Sequence, residues 1–388
     1  MKGQLRRILE PALGADLRDP DRAGSWPRGR GLEGVDGVGT IGAHRGDGSA
    51  AGGRDPALEM AALRAVPDNH PVPDRHVHTE WSWDAARGDM QATCARAVEF
   101  GLPAVAFTEH ADFTVWMADA AATGGAAPGG GGSSKDRDGK GAPAAPDRWD
   151  WSTGHLPGHR WPVRVPVTPT RSGYLDIAGY WEAIDHCRAA FPGLRIESGV
   201  ELGEPNLFPD QAARLLAHRP LDRVLGSMHT VEVEGELVDI SVPEVLSPGQ
   251  AAPRFRSYLV ATCELVKSPA PFAILTHLDY PKRYWPHATL RFDERNFEDE
   301  YRAVLGALAR SGRALEVNSS RAMGPPRGPC PGLLPLRWWH EVGGEALSFG
   351  SDAHRPEDLA AGLADAAAIA EAAGFRPADD PLQLWRRG

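Results

Sequence analysis

The sequence predicts an α/β barrel of parallel strands in a single domain, and three observations carry that prediction. Apolar β-type runs alternate with helical patterns between about residues 75 and 375, which reads as a parallel sheet with helical crossovers. Seven strand runs occur in that stretch, and setting aside one low-complexity insert leaves about 245 residues, near the roughly 250 of a (β/α) barrel. Histidines and carboxylates recur at the C-terminal ends of those runs, where a parallel barrel gathers its βα loops at one mouth.

The predicted strands are Arg75–His78, Ala104–Thr108, Arg195–Leu202, Arg223–His229, Phe272–His277, Ala314–Asn318 and Ala346–Ser351. Helical patterns fill most of the intervals. Gly88-Asp89 caps a run to Phe100 that stops at Gly101, and Asp176 opens another that ends near Phe191-Pro192. Further helices are expected over Asp210–Ala217, Phe255–Val266, Phe297–Ala309, Leu333–Val342 and Pro356–Ala373, the last stopping at Gly374. Trp338 and Trp339 fall inside a helical run and are read as packing residues.

Two regions lack any period. Residues 1–72 show no helical or strand period, and Gly, Asp, Arg and Pro dominate from Gly14 to Gly53, too little apolar surface to fold alone; Met60 is read as the start of the translated chain. Residues 118–173 include GGAAPGGGGSSKDRDGKGAPAAPD, a composition expected to form a flexible insert. The domain is therefore drawn at 73–376, with 377–388 as a C-terminal tail.

Composition excludes several classes. A net charge of −10 argues against long nucleic acid or an anionic membrane surface as partner. Cys94, Cys187, Cys263 and Cys330 share no C-x-x-C spacing, so reduced thiols and a cytoplasmic location are expected. No run approaches the roughly 20 apolar residues of a membrane span. Neither G-x-x-x-x-G-K-[ST] nor G-x-G-x-x-G occurs, so nucleotide cofactors are not indicated.

The chemistry is concentrated at the strand ends. The first strand finishes in His76-Val77-His78, with Asp84 six residues later; the second in Glu109-His110; the third around Glu201; the fourth at His229; the fifth at His277; the last at Asp352-Ala353-His354. Residues two apart on a strand share a face, so His76 with His78, and Asp352 with His354, can point together into the mouth. One such pair alone is a chance event; the same residue types at six strand ends are not. Mixed imidazole and carboxylate donors favour zinc, manganese or iron over magnesium or calcium. Nine groups suit two or three ions, with a carboxylate such as Glu201 or Asp352 bridging. His155, His159, His44, His70, His186, His218, His287 and His340 lie outside this pattern.

The segments DRHVHTEWSWDA, AFTEH, SGVELGE, LGSMHT, ILTHLDYPKRY, LEVNSS and SFGSDAH resemble the polymerase-and-histidinol-phosphatase (PHP) superfamily over about Asp74 to Phe375. The resemblance implies a distorted seven-stranded (β/α) barrel with a three-metal centre. It implies His76, His78, Asp84, His110, Glu201, His229, His277, Asp352 and His354 as ligands, and a metal-held hydroxide as the attacking group. LGSMHT, THLD-x-x-KR and LEVN-S-S are most similar to the histidinol-phosphatase branch, which implies histidinol phosphate, a small phosphorylated metabolite, as substrate. The WSWD wording and the insert depart from that branch. Nucleotide phosphatase or oligonucleotide exonuclease chemistry is the alternative, and a non-catalytic polymerase-associated module a third. Arg321, Lys282 and Arg283 follow strand ends and are candidates to hold phosphate, since a guanidinium fork matches phosphate oxygens. Glu109 is a candidate to orient His110 or its neighbours.

Overall fold

The computed structural model describes residues 72–85, 87–113, 175–242, 244–320 and 328–388. Residues 1–71 of the N-terminal extension, with the start at Met60, the whole insert 118–173 and Arg321 lie outside the described residues. Seven parallel strands form the frame: β1 Asp74–Val77, β2 Ala104–Ala111, β3 Arg195–Gly203, β4 Arg223–Ser227, then, after a hairpin of β5 Thr230–Val233 and β6 Glu236–Asp239, β7 Ile274–Leu275, β8 Ala314–Asn318 and β9 Ala346–Gly350. Their order in the sheet is β1-β2-β3-β4-β7-β8-β9, each parallel to its neighbour. The sheet curls back on itself just beyond β9. The Asp352 amide donates to the His76 carbonyl at 2.7 Å and the His78 amide to the Ala353 carbonyl at 2.8 Å, joining the first strand to the last. This is the expected α/β barrel, closed at the strands' C-terminal end.

The helices are α1 Met90–Glu99, α2 Ile177–Ala190, α3 Pro209–Leu216, α4 Ala251–Lys267, α5 Glu298–Ser311, α6 Leu333–Glu341 and α7 Leu363–Ala372. Local chemistry fixes several ends. Asp89 caps α1 by accepting from the Ala92 amide, and Asp176 caps α2 through the Gly179 amide, each satisfying a donor the helix leaves free. Gly312, in the left-handed region, ends α5. Trp338 and Trp339 of α6 are buried in the main core.

Three expectations need correction, each because a buried carboxylate captures a backbone amide. The fourth strand stops at Ser227, not His229: the His229 and Thr230 amides donate to Glu204 Oε1 at 2.6 and 2.9 Å. The fifth shrinks to Ile274–Leu275, and the His277 amide donates to Glu316 Oε2 at 3.0 Å. The single helix expected over Pro356–Ala373 is broken. Ala360 has φ 61° and Gly362 φ 80°, and the Ala360 amide donates to Asp74 Oδ2 at 2.9 Å.

The segment set apart as a tail, 377–388, also joins the sheet. β10 Phe375–Arg376 and β11 Trp385–Arg387 form an antiparallel pair, and β11 runs antiparallel to β9. Arg75 fastens it from β1, donating to the carbonyls of Leu382 and Gln383. The seam between β9 and β1 is thus filled by the chain end at the lower rim.

Candidate metal centre

Strand register brings the donors together. His110 on β2 is the direct partner of Glu201 on β3, and the closure of β1 on the segment after β9 sets His76 and His78 against Asp352. Gly350 makes that approach possible: a Cβ there would stand 2.2 Å from His76 Cβ. Asp352 itself is held at φ 55°, a conformation costly for a non-glycine residue and typical of functional sites.

All nine residues singled out in the sequence fall in one contact network. Glu201 is its hub. Its Oε2 lies 3.1 Å from His76 Nε2, 3.4 Å from His78 Nε2 and 3.1 Å from His110 Nδ1, and its Oε1 lies 3.2 Å from His229 Nε2 and 2.7 Å from His277 Nε2. Asp352 Oδ1 stands 3.2 Å from His78 Nε2 and 3.7 Å from His76 Nε2. Asp84 Oδ2 stands 3.0 Å from His354 Nε2 and 3.4 Å from His110 Nε2. Among the described residues three donor groups have atoms within 4.8 Å of one another: His76–His78–Asp352, His110–Glu201–His229 and His78–His110–His354.

The surrounding hydrogen bonds orient these donors. His76 Nδ1 donates to Glu316 Oε1 at 2.6 Å, leaving the Nε2 lone pair facing inward. The Ser82 hydroxyl donates to Glu109 Oε2 at 2.5 Å, so toward His78 Nδ1, 3.0 Å away, it is an acceptor; again Nε2 is left as a lone pair. His229 Nδ1 donates to Asp112 Oδ1 at 2.9 Å and His354 Nδ1 to the Asp352 carbonyl at 2.9 Å. The result is that His76 Nε2 and His78 Nε2, 3.0 Å apart, present lone pairs to each other and to two carboxylates. In their neutral form such acceptors need a shared proton or a metal cation between them, and the outward hydrogen bonds leave them oriented for the latter.

Electrostatics agree. Burial would push the imidazoles down, but Glu316, Glu201 and Asp352 outweigh it and hold His76 well above its usual range. Asp84, Glu201 and Asp112 likewise outweigh burial at His110, holding it up at about 10. Asp112 and Glu201 do the same for His229. His78 goes the other way, to about 3, pushed by burial and by neighbouring His110 and His354. Glu201 is held well below the carboxylate range: burial would raise it, but His76, His229 and His110 prevail. The carboxylates demand positive charge, which a proton on an imidazole or a metal ion in its stead supplies. Buried His110 Nδ1, His277 Nδ1 and Asp84 Oδ1 have no hydrogen-bond partner, so the donor set fits metal ions better than it satisfies itself.

The phosphate candidates divide. Arg283 is buried beside the cluster, donating through Nη1 to Asp352 Oδ2 at 2.8 Å and through Nη2 to Asn318 Oδ1 at 2.6 Å. Lys282 is a correction: its ammonium is committed to the Pro329 carbonyl at 2.6 Å and Asp279 Oδ2 at 3.1 Å, bracing the segment before α6. It is not carried forward. Glu109 reaches the cluster indirectly, accepting from the Thr79 amide, the Thr79 hydroxyl and Ser82. Ser82 in turn receives the His110 amide at 3.0 Å.

Sequence reasoning did not single out Ser82, Asp112, Glu204, Glu316 or Asn318. The two-residue spacing that paired His76 with His78 also pairs His110 with Asp112 and Glu316 with Asn318, and would have found three of them. Ser82 and Glu204 act from loops, where no period exists.

A curled parallel barrel with this donor cluster at its mouth defines a class of barrel proteins built around a candidate metal centre. The PHP domain model matches residues 74–320, and the chain belongs to the PHP domain family. A histidinol-phosphatase of Lactococcus lactis is 26% identical over 186 residues, 46% of this chain and 66% of that protein. A Thermotoga maritima protein named "Probable histidinol-phosphatase" is 30% identical over 120 residues, 31% of this chain and 47% of that protein. The chain thus spans about half to two thirds of the length of these relatives. Among solved structures, a histidinol phosphate phosphatase from Lactococcus lactis, complexed with zinc, L-histidinol and phosphate, matches with a TM-score of 0.57 at 20% identity, covering 81% of this chain and 98% of that one. That likeness carries the fold. Among the described residues no helix is long and apolar enough to cross a membrane.

Proposed function

We propose that this chain is a metal-dependent phosphomonoesterase acting on a small phosphorylated alcohol, L-histidinol phosphate foremost. The observation that carries the reading is Glu201, one carboxylate facing five imidazole nitrogens. The nine residues His76, His78, Asp84, His110, Glu201, His229, His277, Asp352 and His354 would hold two or three divalent ions (zinc, manganese or iron), with Glu201 central among the donors. Such ions, when bound, supply Lewis acidity toward phosphoryl oxygens and activation of water at neutral pH.

The chain's own part is orientation and charge. Glu316, Ser82 and Asp112 fix the imidazole tautomers so that lone pairs face inward. Arg283 keeps a fixed positive charge beside Asp352; two of its five N–H donors are used, leaving others for a phosphate oxygen. The names of the matched relatives support histidinol phosphate as substrate.

The test is phosphate release by the full chain loaded with zinc, manganese or iron and offered histidinol phosphate, a nucleoside monophosphate and a short oligonucleotide. Preferential release from histidinol phosphate is expected. Release confined to the nucleotide substrates would move the assignment to the nuclease-like alternative.

A further inference from the structure

We infer that Trp83 is a specificity-determining residue, its indole forming a wall for the organic half of the substrate and favouring phosphomonoesters whose alcohol carries a flat unsaturated ring. This rests on the phosphomonoesterase reading and deepens it.

Trp83 lies between His78 and Asp84, immediately before the carboxylate that meets His110 and His354. The residue is 43% exposed, and its ring centroid lies 6.1 Å from that of His110. An exposed tryptophan alone means little. This one is anchored: Nε1–H donates to Asp112 Oδ2 at 3.0 Å, while Asp112 Oδ1 holds His229 Nδ1 at 2.9 Å. The seat for that carboxylate exists because residue 203 is glycine; a Cβ there would stand 2.0 Å from Asp112 Oδ1. One buried carboxylate therefore ties an open indole to an imidazole of the cluster, fixing its position relative to the donors.

Across the cluster stands a second ring. Tyr280 is half-buried, with its centroid 4.9 Å from His277 and 5.6 Å from His229, and its hydroxyl lies 2.9 Å from that of Tyr284. An indole on the His110 side and a phenol on the His277 side thus flank the donors. Arg283, the fixed cation, belongs to the Tyr280 side, 5.2 Å from that ring. Phosphate drawn toward Arg283 leaves the indole for the alcohol. A fixed indole face rewards a second ring in offset or edge contact, and a cationic ring more. The imidazole of histidinol and the base of a nucleotide share that chemistry; glycerol lacks it.

The experiment uses the metal-loaded full chain, Trp83→Leu and Trp83→Phe, with histidinol phosphate, a nucleoside 5′-monophosphate and glycerol phosphate as substrates. In Trp83→Leu the ratio of kcat/KM for the ring substrate to that for glycerol phosphate should fall about ten-fold, through KM more than kcat, and recover in Trp83→Phe. The ring substrate that loses most identifies the source. An unchanged ratio overturns the inference, as does an equal loss on all substrates accompanied by loss of bound metal. Calorimetric binding of L-histidinol separates the two layers. If the wild type releases no phosphate from any substrate yet binds L-histidinol about ten-fold more tightly than Trp83→Leu, the phosphatase reading falls, and with it the substrate preference, while the indole's role as a wall for the ring stands.

Discussion

The two rims of the barrel both bury charge, and they do so in opposite ways. At the lower rim Arg75 and Arg223 share Glu197. Arg223 Nε lies 2.8 Å and Arg75 Nε 3.3 Å from Glu197 Oε2, and the second guanidinium charge is tempered by the carbonyls of the chain end. Fixed positive charges meet a carboxylate and backbone carbonyls there, although Arg75 Nε and Arg223 Nη1 make no hydrogen bond of their own. At the upper rim Glu201, Asp352 and Asp84 face a crowd of imidazoles, and the positive charge they need comes from protons on His76, His110 and His229 or from metal ions in their place. Burial costs a charge most of its hydration in both places. The lower rim answers that cost with permanent guanidinium charges, the upper rim with protons that a cation can replace. A closed ionic cluster belongs to folding, and an open one to a ligand.

That contrast can be broken experimentally. The largest effect is expected from Asp352→Ala or His78→Ala, which should abolish metal loading and lower kcat/KM by well over about a hundred-fold while far-UV circular dichroism stays native. Wild-type turnover in either variant would remove that residue from the centre. Glu197→Ala should do the reverse. It leaves two buried guanidiniums without their carboxylate and should cost about 3–5 kcal/mol in denaturant unfolding, with the metal content of the folded fraction unchanged. Glu316→Gln removes the acceptor that fixes His76, and Ser82→Ala the one that fixes His78. Each should weaken metal affinity by about 10–100-fold, read by competition with a chelator.

The smallest effect is in pH. His76, His110 and His229 are held protonated by their carboxylate neighbours, and a metal ion must displace those protons. Loading should therefore release protons near neutrality, and apparent affinity should fall as pH falls. Titrations in buffers of different ionisation enthalpy measure the number released; no net release would count against the scheme.

The upper rim was more legible in the sequence than the lower one. Barrel strands deliver their C-terminal residues to one mouth whatever the loops do, so His76, His110, Glu201 and Asp352 could be grouped from position alone. The same rule is blind to residues that work from loops, such as Ser82 and Glu204, and to carboxylates spent on backbone amides. Those amides are also why strand ends at Ser227 and Leu275 were overrun: apolar pattern continues there, but the hydrogen bonds go to Glu204 and Glu316. The hairpin of β5 and β6 was overlooked although VEVEGELV alternates cleanly around Glu234 and Gly235, both at positive φ. Nothing in LQLWRR marks a strand, because β11 is made by pairing with β9 and by Arg75, contacts distant in sequence.

The most direct measurement is X-ray diffraction from metal-loaded crystals, recorded above and below the absorption edge of the metal supplied. The account predicts two or three anomalous peaks per chain, all within the cluster and at least one in contact with Glu201. A single peak, or peaks remote from His76, Glu201 and Asp352, would contradict it.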